Sequence, residues 1–409
     1  MNFEYFISQR LSWQDKGSFS RFIIRIAIVA IALSVSIMVI STCMINGFTH
    51  EIKGKIFDFW GEIQIRNQDN NSSFEELPIN NNPKYFKAIQ QLPEVQNVSP
   101  YITKAGILKT KTDINGILLK GVDRYYDWKF MNDYLVSGQV LHYPDSGYSK
   151  EILISQVMAK KLHLKSGDPV IAYFIRKDYP VPIGRKLQIA GIYNTGLHEY
   201  DEKYGIVDME MLRQLNQWDA SQIGGWEVRL KDVDDMDTVN SKIYYSIIDN
   251  TLYSETIQKV YPNIFEWLNL QQVNEYIILA IMVVVAILNM VTALIILILD
   301  RTRMIGILKA LGAGNSSIRQ VFLYKMIYIF ANGLFWGNLA GFLFCVLQKY
   351  TGFITLNEEN YYLSAAPIHF NWLYILLINL GTLLICSVVM LLPAAMISRI
   401  SPMKAIRFE

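Results

Sequence analysis

The sequence is poor in the side chains that do chemistry. Its five histidines, His50, His142, His163, His198 and His369, are scattered, and no two stand at the spacing of a metal-binding pair. His198 is followed by Glu199, but the second histidine that a zinc helix needs is missing. No G-x-x-x-x-G-K-[ST] motif occurs, which excludes a nucleotide phosphate cradle of that kind. Cysteine is nearly absent: Cys43, Cys345 and Cys386 all fall in apolar runs. The hydrophilic part of the chain therefore has no disulfide framework and must be held by its own core. Charged residues make up only 18% of the chain and net charge is +2, so no bulk attraction to nucleic acid is implied. No charge sits in the middle of a long apolar run, where a proton- or ion-coupled pump usually needs one. Glu199, Asp201 and Glu202 form a carboxylate cluster that reads as a solvated loop. These absences leave no catalytic residue, no metal site and no cofactor to assign; if energy is used, it arrives from another subunit.

Apolar residues are abundant, at 52% of the chain. Four runs, 22–44, 276–299, 321–347 and 372–396, are long enough to cross a hydrocarbon core of roughly 30 Å, which takes about 20 residues of helix. Arg10, Lys16, Arg21 and Arg25 precede or open the first run. Arg301, Arg303, Lys309 and Arg319 lie between the second and third, and Arg399, Lys404 and Arg407 follow the fourth. The positive-inside rule places those three regions in the cytoplasm, and segments 48–270 and 349–371 outside. The first run lacks an A-x-A-like exit and is longer than a signal-peptide core, so it reads as an uncleaved anchor. The expected division is 1–47 (cytoplasmic segment and first span), 48–270 (external domain) and 271–409 (three further spans).

Segment 48–270 mixes the two periodicities. Strands are expected at 62–66, 98–102, 106–111, 115–122, 170–175, 186–193 and 226–230, and helices at 83–92, 155–164, 209–216 and 234–248. The fold class that follows is an α-helical membrane protein with four transmembrane helices and a large α+β external domain between the first and second. Segment 176–185 reads as a projecting loop, because Pro180, Pro182 and Gly184 argue against strand pairing. It carries Tyr179, Val181 and Ile183 beside Arg176, Lys177 and Arg185, apolar groups rimmed by cations that suit a protein contact.

The stretch 301–320 is the most informative. Met304, Ile307, Leu308 and Leu311 stand at i, i+3, i+4, i+7, one stripe of a helix. Gly312 and Gly314 stop that helix, and Asn315 or Ser317 can cap the next. A short amphipathic helix, about 301–312, thus lies at the cytoplasmic end of a helical hairpin, its apolar face in need of a partner. In the third run, Gly333, Gly337 and Gly341 make a flat stripe for close helix approach. Asn289 and Asn379 are mid-membrane amides suited to holding helices together. Between the first and second spans an acyl-chain cleft is expected, lined by Val35, Met38, Val39, Met44 and Ile45 and by Tyr276, Leu279, Ile281 and Val283.

Several motifs resemble one family. Residues 305–313, IGILKALGA, resemble the coupling-helix signature of the MacB- and FtsX-related permeases, the type VII ABC transporter subunits. That family usually has an acidic residue before the Ile-Gly-Ile; here it is Met304, which makes the contact more apolar. Four further segments resemble the lipoprotein-releasing LolC/LolE branch: 6–10 with 44–48 (MINGF), 191–201 (GIYNTGLHEYD), 361–368 (YYLSAAPI) and the tail 401–407. The resemblance implies a non-catalytic inner-membrane permease. It further implies a cytoplasmic ABC ATPase dimer that uses ATP and Mg, a second permease copy, a periplasmic carrier of the LolA type, and lipoprotein cargo. Met304, Ile305, Ile307, Leu308 and Leu311 would then meet the ATPase. The loop with Arg176, Tyr179, Pro180, Val181, Pro182, Ile183 and Arg185 would meet the carrier. The alternatives within the resemblance are an FtsX-like subunit that signals to cell-wall hydrolases and a MacB-like efflux permease.

Overall fold

The computed structural model describes residues 19–68, 75–176 and 179–395. The amino-terminal motif 6–10, the tail 401–407, the basic residues Arg10, Lys16, Arg399, Lys404 and Arg407, and Lys177 lie outside the described residues.

Among the described residues, four helices are long and apolar enough to cross a membrane. They are Phe19–Trp60, Pro262–Asp300, Asn315–Thr351 and Trp372–Val389. The first two far outrun the apolar segments that announced them. At 42 residues the first is about 60 Å long, roughly twice a hydrocarbon core. Its extension past residue 47 is sustained by Ile52, Ile56 and Phe59, which recur at helical spacing and are buried. It ends at Gly61, whose φ of +70° suits a residue without a side chain and whose N–H donates to Phe57 O at 2.7 Å.

The chain forms two compact units. Among the described residues, one holds 19–50, 267–355 and 365–395 and is helical. Its core gathers Ile31, Val35, Met38 and Val39 from the first long helix, Met290 and Leu294 from the second, Phe322, Met326 and Phe330 from the third and Cys386 from the fourth. Asn338 and Asn379 exchange side-chain hydrogen bonds of 2.8 and 3.0 Å, joining the third and fourth helices. Asn379 was expected to act in this way; its partner Asn338 was not singled out.

The other unit holds residues 51–266 and 356–364. Its strands are β1 (Ile63–Asn67), β2 (Ile79–Asn80), β3 (Val95–Lys109), β4 (Ile114–Val122), β5 (Leu135–Gly138) and β6 (Glu151–Ser155). Then follow β7 (Pro169–Arg176), β8 (Tyr179–Tyr193), β9 (Tyr204–Asp208), β10 (Gln222–Ile223), β11 (Gly225–Leu230) and β12 (Leu252–Thr256). The two strands expected at 98–102 and 106–111 are one: β3 runs 15 residues, because its two halves serve different partners, β11 first and then β4 and β7. Pairings β3–β4, β4–β9, β9–β6, β6–β8, β8–β7 and β7–β3 close into a ring. By register, one face of this ring carries Leu108, Ile117, Leu119, Phe174, Leu187 and Ile189, all buried. β12, β1 and β11 extend the sheet from β3, and β2 with β10 makes a separate pair.

Candidate functional site

The short helix between the second and third long helices spans Thr302–Ala310. Gly312, at φ +91°, stops it. The next helix begins at Asn315 with Gly314 as its cap and no side-chain cap bond, so neither Asn315 nor Ser317 plays the capping part expected of it. The apolar stripe divides into two. Ile305 is fully buried and Met304 and Leu308 pack against the core of the helical unit. Ile307 is 48% and Leu311 80% exposed. With Arg303 they stand at i, i+4, i+8 along the outward side. The physical reason is width: a helix packed on the ends of others buries one side of its stripe, and only the remainder stays open to a partner.

Gly333, Gly337 and Gly341 meet the first long helix. A Cβ built on Gly333 would lie 2.6 Å from Ile31 Cγ2, one on Gly337 2.7 Å from Ala32 O, and one on Gly341 3.1 Å from Val39 Cβ. This contact changes the reading of the cleft. Val35, Met38 and Val39 are 2%, 1% and 4% exposed, occupied by packing within the chain's own helical unit, so they do not line an open cleft. The β-branched side chains fill the groove that the glycines leave. Met44, Leu279 and Val283 pack partly into the same cluster, and Tyr276 and Ile281 are 59% and 52% exposed. On the first helix the exposed apolar stripe is instead Phe22, Ile26, Val29 and Leu33, and on the second it takes Tyr276 and Ile281 of the expected lining together with Ile277 and Val284.

Segment 176–185 is not a loop. β8 begins at Tyr179 and pairs with β7 through Arg176↔Tyr179, Phe174↔Ile183, Tyr173↔Gly184 and Ala172↔Arg185, with a register shift between Phe174 and Arg176. The prolines are tolerated because they fall where the register shifts: Tyr179 pairs with Arg176 and Ile183 with Phe174, and residues 180–182 between them have no partner on β7, so no ladder bond is lost. No strand pairs with the other edge of β8 before Gln188. The result is a ladder-built hairpin whose end shows Ile175 and Val181 at 58% and 56% exposure, with Pro182 exposed and Ile183 and Arg185 half-buried.

The carboxylate cluster is not all solvated. Asp201 is 1% exposed and accepts from Thr195 Oγ1 at 2.8 Å and Gly196 N at 3.1 Å, while its own carbonyl accepts from Ser155 Oγ. Burial pushes its carboxyl up to about 6, against these bonds. The turn so fixed leaves Gly196 bare at φ +74°, where a Cβ would lie 2.9 Å from Lys55 Nζ and 3.0 Å from Tyr362 O. Lys55 donates to Tyr362 O at 3.1 Å. The GIYNTGLHEYD motif is thus a seat, within the mixed unit, for Lys55 of the first long helix and for the segment 356–364. Sequence reasoning noticed the motif but not its partner. Among the described residues no group of three or more His, Cys, Asp or Glu side chains could hold a metal ion.

Four membrane-length helices and a large α/β unit thus share this chain, among the described residues. The FtsX-like permease C-terminal model matches residues 276–402, and the MacB-like periplasmic core domain model matches residues 26–244. The chain belongs to this family of FtsX-like permeases with a MacB-like periplasmic core domain. Among curated proteins it is similar to the lipoprotein-releasing system transmembrane protein LolE of Haemophilus influenzae, 21% identical over 98% of each chain. It is also similar to the LolC proteins of Xylella fastidiosa (21% identical, 96% of each chain) and Neisseria meningitidis (21% identical, 97% of this chain and 96% of that one).

Proposed function

We propose that this chain is the permease subunit of an ABC transporter that extracts lipoproteins from the inner membrane and passes them to a periplasmic carrier. The observation that carries this reading is the likeness to lipoprotein-releasing LolE and LolC proteins along nearly the whole length of both partners. In this reading both termini and the helix Thr302–Ala310 face the cytoplasm and the mixed unit faces the periplasm. Ile307 and Leu311 enter a groove on an ATPase dimer, which hydrolyses ATP with Mg and supplies the work. The exposed stripes of the first two helices meet a second permease copy and the lipid anchors of the cargo. Each buried CH₂ of an anchor adds about 0.8 kcal/mol to its hold there. The hairpin end around Val181 holds a carrier of the LolA type through its exposed apolar residues.

The test is reconstitution of the chain with its partner ATPase and a triacylated lipoprotein in vesicles. ATP-dependent appearance of the lipoprotein on added carrier is the expected result. ATP hydrolysis without release, coupled instead to activation of a cell-wall hydrolase, would replace this reading with the signalling one.

A further inference from the structure

The carboxy-terminal end of the first long helix is held in an unusual way. Its residues 51–60, nearly three turns, belong to the mixed unit, where Phe59 and Trp60 are 1% and 2% exposed. Helix ends leave carbonyls without intrahelical partners, and these carry the negative end of the helix dipole. Here two cations take them. Lys120 of β4, fully buried, donates to Phe59 O, and Arg229 of β11 donates to Asp58 O at 2.8 Å. Lys120 Nζ is also 2.7 Å from Glu227 Oε1 and lies 4.9, 4.5 and 5.4 Å from the ring centroids of Phe59, Trp60 and Tyr126.

The second long helix begins in the same cluster. Tyr261, the residue before Pro262, stacks on Trp60 at 6.2 Å and faces Tyr200 at 5.3 Å, and Phe265 meets Phe57 at 6.0 Å. A buried cation is expensive unless fully paired. An apolar side chain would fill this space at lower cost if core packing were the only demand.

We propose that Lys120 and Arg229 are positioning residues of transport: they lock the end of the first membrane helix to the sheet, so that helix motion moves the mixed unit instead of being lost in a loose joint. This deepens the transport reading and rests on it. Gly54, one and a half turns upstream, supplies an independent handle, because a Cβ there would meet nothing within 4 Å. The helix can be stiffened at that point without touching the lock, or softened there by inserting Gly-Ser-Gly after it.

The experiment uses the full chain with its partner ATPase in vesicles. Spin labels are placed at Glu51→Cys on the helix and Thr112→Cys on the β3–β4 turn, both exposed, while the native thiols are buried. The distance distribution should be narrow in the parent and in Arg229→Lys, and broad in Lys120→Met with Arg229→Met and in the Gly54 insertion. Lipoprotein release per ATP hydrolysed should be kept in Arg229→Lys and Gly54→Ala and lost in the broadened variants. A narrow distribution in the Lys120→Met, Arg229→Met chain overturns the lock. Broad distributions with release per ATP unchanged overturn its role in transport. A parent that hydrolyses ATP but releases no lipoprotein instead defeats the transport reading, while the distance measurement still decides the lock.

Discussion

Replacing the glycines of the third long helix by alanine should produce a graded series, because the space around each differs. In an open helical position, Gly→Ala stabilises by about 1 kcal/mol through propensity alone. Gly381 on the fourth helix is such a position, with nothing within 4 Å of a built Cβ, and serves as the reference. At Gly341 the nearest atoms are Val39 Cβ at 3.1 Å and Ser36 O at 3.2 Å. A shift of a few tenths of an ångström relieves them, so cost and gain should nearly cancel. At Gly337 the new methyl would lie 2.7 Å from both Ala32 O and Val35 Cβ. Neither atom is the free end of a flexible side chain, so the two helices must separate. Overpacking of this kind costs about 1–3 kcal/mol, which leaves a net loss of up to about 2 kcal/mol after the propensity gain. Gly333, facing Ile31 Cγ2 and Cβ at 2.6 and 2.8 Å, should behave like Gly337. The assay is thermal unfolding of the purified complex in one lipid or detergent condition. The expected order of stability is Gly381→Ala, then Gly341→Ala, then Gly333→Ala and Gly337→Ala. A Gly337→Ala complex as stable as Gly381→Ala would refute the packing argument.

Changing Ile307 and Leu311 together to Asp should abolish co-purification of the ATPase while the membrane unit keeps its melting temperature, since both side chains are already exposed; Ile305→Asp, buried, should instead unfold the unit. Replacing Val181, Pro182 and Ile183 by Ser should leave folding and ATP hydrolysis intact and weaken pull-down of the carrier, and unchanged pull-down removes the hairpin from the mechanism. The mixed unit should gain stability on mild acidification. Asp201 and Glu62 are raised by burial to about 6 and about 7 from ordinary values of 3.8 and 4.5. Between those values the folded state holds more protons than the unfolded one, so stability falls as pH rises from about 4 to about 7, by at most about 1.4 kcal/mol per pH unit for each group. Melting from pH 5 to 7.5 checks this; a flat profile, or a slope that Asp201→Asn with Glu62→Gln leaves undiminished, counts against it.

Local signals made much of this molecule legible. Runs of twenty apolar residues, the left-handed stop at Gly312 and the strand periodicity of 115–122 are all properties of neighbours in sequence. What stayed hidden depends on distant partners. The first helix outlives its apolar run because Ile52, Ile56 and Phe59 find a core made by strands far along the chain. The ring of strands is invisible without knowing that β3 meets β7. At the candidate site, the helical stripe at 304–311 was readable, but its division into a buried and an open half was set by the helices beneath it. Val35 and Val39 could not be told from cleft residues, since a groove made by glycines on another helix decides their fate. Prolines at 180 and 182 pointed toward a loop because proline removes a donor, and only the pairing shows that the donor was never needed.

Those two prolines also govern what can bind the hairpin. An open strand edge ordinarily invites another extended chain to add itself to the sheet, a hazard for any exposed β-structure. At the hairpin end of β8 the donor is missing twice within three residues. A visiting strand would find carbonyls at Pro180 and Pro182 without the N–H groups that hold register. The tip of the hairpin is therefore a poor seed for sheet growth, which guards the chain against fusing with neighbouring copies into fibres.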